Sequence, residues 1–229
     1  MLRRTAFAKK NSFDDLLAAV FKRAQAGGLI EESPRAAVDA TGFETSHASA
    51  YYVGRAGYEP FMRRRWPKLT TVCDIGSYLL AAAVVTQGPS NDSPQFAPAM
   101  LDAAQHVAFD RVTADAAYDG EHNHRLCREE LGIRSTIIPL NRRAHPNAIP
   151  QTHYRRQMKT RFFKRLYGQR WHIESAFSQT KRVLGDRLRA RNQPAQYREV
   201  HLRVLTHNTM ILWCLNAKGF QQSIRGSKR

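Results

Sequence analysis

The chain has 229 residues, which bounds it to one sizeable core or to one core with an attached arm. Its 36 Lys and Arg stand against 19 Asp and Glu, a net charge of +17 that exceeds what solubility needs and favours a polyanionic partner. The widely spaced Cys73, Cys127 and Cys214 argue against a disulfide framework or a Cys-x-x-Cys zinc site, and the longest apolar run, 78–85, falls well short of the ~20 residues a membrane-spanning helix needs.

The cysteines read as buried thiols in a reducing compartment. The N-terminal Met-Leu-Arg-Arg-Thr is not followed by an apolar core with a cleavage site, so a cytoplasmic protein is expected. Apolar residues recur at helical spacing over 13–26, with Ser12 as N-cap candidate and Gly27-Gly28 as the stop, which predicts one amphipathic helix. Residues 36–41 read as a buried strand ending at Gly42, and 68–73 and 78–87 as a hairpin around the turn Asp74-Ile-Gly-Ser77. A helix over 93–107, with Pro94 near its start, leads to a strand over 109–114 that delivers Asp115 at its end.

A polar helix over 119–131, closed by Gly132, precedes a β-branched fifth strand over 133–140. Residues 141–160 show no clear period and many bases, and are expected to be a loop that orders on an anionic ligand. Two helices follow, over 161–184 and 195–215. Charge is concentrated here: 141–203 holds sixteen Lys or Arg against Glu174, Asp186 and Glu199.

Within this basic region Tyr167, Arg170, Glu174 and Lys181 are spaced by three, four and seven, which puts phenol, guanidinium, carboxylate and ammonium along one helical face. A lone carboxylate that holds a divalent cation, flanked by cations that grip phosphates, accounts for such a face. Two further acids stand out, Asp39 in Ala-Val-Asp-Ala-Thr-Gly (37–42) and Asp115 in Thr-Ala-Asp-Ala-Ala-Tyr-Asp-Gly (113–120). Asp74, Asp92 and Asp110 have adequate explanations as turn, cap or exposed charge, and Asp119 is the serious rival. The histidines form no His-x3-His pair and read as surface residues. Trp171 reads as core packing in preference to a base-stacking ring. Neither Gly-x-Ser-x-Gly nor a phosphate-cradling Gly-x4-Gly-Lys loop occurs, so triad hydrolysis and ATP hydrolysis are not indicated.

Together these motifs resemble the DDE transposases of bacterial insertion sequences. Tyr167, Arg170, Glu174 and Lys181 match a Tyr-x2-Arg-x3-Glu-x6-Lys helix; Asp39, Thr41 and Gly42 match an Asp-x-Thr-Gly strand; Ala114, Asp115, Tyr118 and Asp119 match the context of the second acid. The resemblance runs from about Asp39 to about Met210. It implies an α/β, ribonuclease-H-like fold: a mixed five-stranded sheet flanked by helices, the first and fourth strands adjacent. That adjacency would bring Asp39 to Asp115, with Glu174 laid beside both.

The resemblance further implies two Mg²⁺ ions, with Mn²⁺ as an alternative, held by Asp39, Asp115 and Glu174. Asp39 would bridge the pair. Arg170 and Lys181 would contact phosphates, and Tyr167 would pack or stack against the backbone of double-stranded DNA, both transposon ends and target. Metal-dependent strand cleavage and strand transfer by a homodimer on DNA would follow, with no membrane involved. Only 38 residues precede Asp39, whereas such transposases usually carry a recognition domain there. The expected division is therefore a helical arm over 1–34, a remnant of that domain in a truncated element, a catalytic domain over 35–216 and a basic tail over 217–229. A non-transposing nuclease of the same fold, and a non-catalytic DNA-binding protein or repressor, are the alternatives.

Overall fold

The computed structural model describes residues 2–45, 66–141 and 149–226, with side chains described from 12 to 214 within those spans. Five strands form the main sheet: β1 (Arg35–Gly42), β3 (Trp66–Asp74), β4 (Val84–Gly88), β5 (Arg111–Ala114) and β6 (Ser135–Ile137). Their order is β4-β3-β1-β5-β6. β3 runs antiparallel to β1 and β4, while β5 runs parallel to β1 and β6. This is the mixed sheet the sequence leads one to expect. Two short strands, β2 (Glu44–Thr45) and β7 (Arg187–Leu188), pair in parallel as a separate sheet.

Alternation along β1 sorts its side chains between two apolar layers. Ala36 and Val38 join a cluster with Leu17, Phe21 and Ala24 of α1 (Leu2–Ala26), Phe96, Ala99 and Met100 of α2 (Phe96–Ala104), and Ala114 of β5. Ala37 faces the other way. It packs with Ile173, Ala176 and Phe177 of α6 (Trp171–Leu184) and with Val200 and Val204 of α7 (Gln193–Gly226). The predicted N-terminal helix thus contributes fully buried side chains to the larger core. Gly42 and Gly88 flank the Trp66 indole, where an added Cβ would come within 2.8 and 2.6 Å of the ring.

Several element boundaries differ from expectation. The predicted strand over 78–87 forms a strand only as β4. Before it, buried Leu79, Leu80, Ala81 and Ala82 follow a turn through Tyr78, whose φ is +64°. Asn208 of α7 closes both backbone groups of Leu80: its Oδ1 accepts from the Leu80 N–H and its Nδ2 donates to the Leu80 carbonyl, each at 2.9 Å. A distant side chain therefore does what a strand partner would have done.

The predicted helix over 119–131 is broken into α3 (Glu121–Arg125) and a wider turn over Leu126–Glu130. The expected loop 141–160 contains a helix, α4 (His153–Thr160), while 142–148 lie outside the described residues. The helix expected over 161–184 is split into α5 (Lys164–Tyr167), a tight turn (Gly168–Arg170) and α6. α7 is longer than 195–215 and carries the backbone through much of the predicted basic tail, whose side chains lie outside the described residues. Cys73 and Cys127 are buried as expected, but Cys214 is exposed.

Candidate active site

Sheet register positions the first two acids. In the parallel pair β1–β5, Val38 lies opposite Ala114, so Asp39 and Asp115 are the next residues along neighbouring strands, roughly 4.8 Å apart in the hydrogen-bonding direction. Val38 and Ala114 both turn into the larger core. Alternation then sends Asp39 and Asp115 to the opposite face, the one covered by α6. Each acid also accepts from the following backbone amide: the Asp39 Oδ1 from Ala40 at 2.8 Å, the Asp115 Oδ1 from Ala116 at 2.5 Å. The Asp115 contact caps the turn Ala116–Tyr118.

The third acid arrives with α6. Ile173, Ala176, Phe177 and Thr180 form the buried stripe of that helix, which leaves Glu174 at its edge with a side chain 54% exposed. The tight turn before α6 packs against both β1 and β5. From it the Arg170 guanidinium reaches two acids at once: Nη1 donates to Asp39 Oδ2 at 2.7 Å and Nη2 to Glu174 Oε1 at 2.5 Å. Residues far apart in sequence are thereby joined in one charged cluster.

Burial raises the pKa of Asp39. The Ala40 amide and Arg170 pull it down, while the Asp115 and Glu174 charges push it up. Burial works against the charge of Arg170, but Asp39, Glu174 and Asp115 outweigh it and its pKa is raised. Tyr118, wholly buried, is held protonated by burial and by nearby Asp92, Asp39 and Asp115.

Among the described residues no group of three or more His, Cys, Asp or Glu stands in a metal-holding arrangement; the Arg170 guanidinium is interposed between Asp39 and Glu174. The donor set nevertheless suits a hard divalent cation. Asp39, Asp115 and Glu174 would offer it carboxylate oxygens alone, the donors such an ion prefers.

The remaining motif residues spread along the same elements. Tyr167 ends α5 and packs on Phe162, ring centroids 5.2 Å apart. Lys181 sits further along α6 with its ammonium 5.5 Å from the centroid of the Phe43 ring. Burial lowers its pKa, and the Asp186 and Glu44 charges oppose the shift. Because the turn Gly168–Arg170 precedes α6, Tyr167 and Arg170 lie outside that helix, and only Glu174 and Lys181 share it.

Each rival acid has a partner elsewhere. The Asp119 carboxylate is buried with both oxygens on Arg155, at 2.8 Å each, and also accepts from the Asn141 amide. Asp74 takes the amide and hydroxyl of Ser77. Asp92 pairs with Lys68, and Asp110 with Arg111 and Arg134.

Two expectations about rings fail. Trp171 is 53% exposed rather than in the core, stacked on His172 with centroids 3.9 Å apart. His124 and His207 are buried rather than on the surface, and His124 Nδ1 lies 2.6 Å from Thr136 Oγ1. Helical periodicity does place Trp171 on the Glu174 side, but its exposure depends on what α6 packs against. The family model described as a transposase DDE domain matches residues 31–209. None of the curated proteins matches the chain.

Proposed function

Because the chain belongs to the transposase DDE domain family, we propose that it cuts DNA at the ends of a mobile element and joins the freed ends to target DNA. The observation that carries this reading is the sheet register that sets Asp39 beside Asp115, with Glu174 tied to Asp39 through Arg170.

Asp39, Asp115 and Glu174 are the residues that would hold two Mg²⁺ ions, Mn²⁺ being the alternative. Such ions stabilise charge on the attacking and departing oxygens of an in-line displacement. The chemistry has two parts. Water adds to a phosphodiester as its bond to the 3′ oxygen breaks, leaving a 3′ hydroxyl and a 5′ phosphate. That hydroxyl then adds to a target phosphodiester, displacing a 3′ oxygen there, so bonds and charge balance without an outside energy source.

Protein groups supply position and charge. Arg170 faces the acids and takes the scissile phosphate. Lys181, over Phe43, takes a phosphate further along the strand, and Tyr167 packs against the sugar-phosphate backbone. The exposed cations Arg156, Lys159, Arg161, Lys164 and Arg165, on and beside α4 and α5, extend this basic surface. No described helix is long and apolar enough to cross a membrane. A homodimer on paired DNA ends and a cytoplasmic location complete the reading.

The test is a strand-transfer assay on labelled element ends, with and without Mg²⁺, beside Glu174→Gln. Cleavage and joining that require the ion and are lost in Glu174→Gln are expected. Cleavage without joining would mark a nuclease. Binding unaffected by the ion or by Glu174→Gln, with no cleavage, would mark a DNA-binding protein and overturn the catalytic reading.

A further inference from the structure

The Arg170 fork is divided between two carboxylates instead of closing on one. One nitrogen holds Asp39 Oδ2 and another holds Glu174 Oε1. Both Asp39 oxygens carry a hydrogen bond, since its Oδ1 accepts from Ala40. A cation drawn to Asp39 Oδ2 and Glu174 Oε1 would compete with the guanidinium for those oxygens, and one on any other oxygen of the two acids would stand within a few ångströms of its positive charge, where repulsion is strong. Three neighbouring acids also repel one another, and in this arrangement Arg170 supplies the counter-charge that offsets it.

We propose that Arg170 is a displaceable counter-ion: it holds Asp39 and Glu174 together before divalent cations bind, and the binding of those cations releases its guanidinium to a DNA phosphate. The backbone can stay still while this happens. Gln169, the preceding residue, accepts from Arg35 Nη1 at 3.1 Å, and Arg35 is paired to Glu31, which pins the turn to the start of β1. Movement is thus confined to the Arg170 side chain, which is one-fifth exposed and has a route to solvent beside the half-exposed Glu174. One residue would in this way couple cation loading to DNA grip: without cations the guanidinium is spent inside the protein, and with them it faces the substrate. The inference rests on the assignment of the three acids as cation ligands.

The experiment measures Mn²⁺ binding to the full chain without DNA, by electron paramagnetic resonance, for wild type, Arg170→Gln, Arg170→Lys and Asp39→Asn. Arg170→Gln is expected to bind Mn²⁺ at least tenfold more tightly than wild type and to gain more in melting temperature on Mn²⁺ addition. Arg170→Lys, whose single ammonium cannot span both acids as a fork does, should fall between and serves alone if Arg170→Gln does not fold. Unchanged or weaker Mn²⁺ affinity in both Arg170 variants, with Asp39→Asn still losing the ion, overturns the counter-ion role and leaves the ligand assignment standing. No Mn²⁺ binding by any form overturns both. DNA binding gives the second readout: in Ca²⁺, Arg170→Gln should flatten the salt dependence by about one phosphate equivalent, and in EDTA it should not. An equal flattening in EDTA would show that the guanidinium is always free for DNA, and would overturn the proposal.

Discussion

Asp39 combines partial burial, a backbone amide on one oxygen and a guanidinium on the other. Asp39→Asn keeps the shape and removes the charge, so strand cleavage should fall at least about a hundredfold, the scale seen when one stabilising group is removed from a reacting centre. DNA affinity should change little, because the surrounding cations remain. A nicking assay beside a filter-binding curve checks both, and cleavage at the wild-type rate would remove Asp39 from the reaction. Trp171 invites a separate test. Its ring is exposed and braced by His172 on the side of α6 that carries Glu174, a platform for an unpaired base. Trp171→Ala should weaken binding to frayed or single-stranded ends by about 1–3 kcal/mol while leaving blunt duplex and thermal stability nearly unchanged. Equal losses on both DNAs would point to a backbone contact instead.

At the scale of elements, the basic helix α4 is held to the sheet domain by acids. Asp119 grips the Arg155 guanidinium with both oxygens, and Glu121 accepts the Tyr154 and Arg155 amides at 3.0 and 3.1 Å, closing the helix N-terminus. Those hydrogen bonds lower the pKa of Glu121 although partial burial opposes them. Breaking a buried ion pair costs about 3–5 kcal/mol, and Arg155 keeps some contact with water, so Asp119→Ala should cost on the order of 2–3 kcal/mol in urea unfolding. Amide exchange at Tyr154 and Arg155 should accelerate with it. A change below about 0.5 kcal/mol, within the range of ordinary surface substitutions, would show that α4 docks by other means. The second acid signature thus divides its labour: Asp115 faces the other acids, Tyr118 fills the core beneath them, and Asp119 anchors a cationic helix.

At the scale of the whole molecule, burial has consequences in acid. His124 is wholly buried and its pKa is pushed down to about 4 by burial, with Glu121 and Asp119 only partly offsetting this. Burial likewise lowers His106, His201 and His207. A histidine with a folded pKa below its unfolded value of about 6.5 binds its proton first in the unfolded chain, so stability is lost as pH falls from about 6.5 to about 4. Asp39 and Asp74, raised by burial, act in the opposite sense as they protonate. The His124 share is isolated by comparison: the drop in unfolding free energy between pH 7 and 4.5 should be about 2 kcal/mol smaller in His124→Gln than in wild type. Equal drops would mean that His124 gains its proton in the fold as readily as outside it.

Much of this molecule was legible along the chain, because a strand alternates, a helix repeats every 3.6 residues and a glycine ends either one. Those local rules placed β1, β3 and β5, put Asp115 at a strand end, and located the basic region from charge alone. They could not see that Leu80 borrows its backbone partners from Asn208, that α6 begins after a tight turn, or that α4 exists at all, since each depends on contacts with residues far away in sequence. Nor could they show what Asp115 and its rival Asp119, four residues apart and equally acidic, each meet in the fold. The parallel pairing of β1 with β5 sets Asp115 beside Asp39, while Asp119 is held by the partly exposed Arg155: side-chain direction in a sheet follows register, and register is settled only when the strands meet.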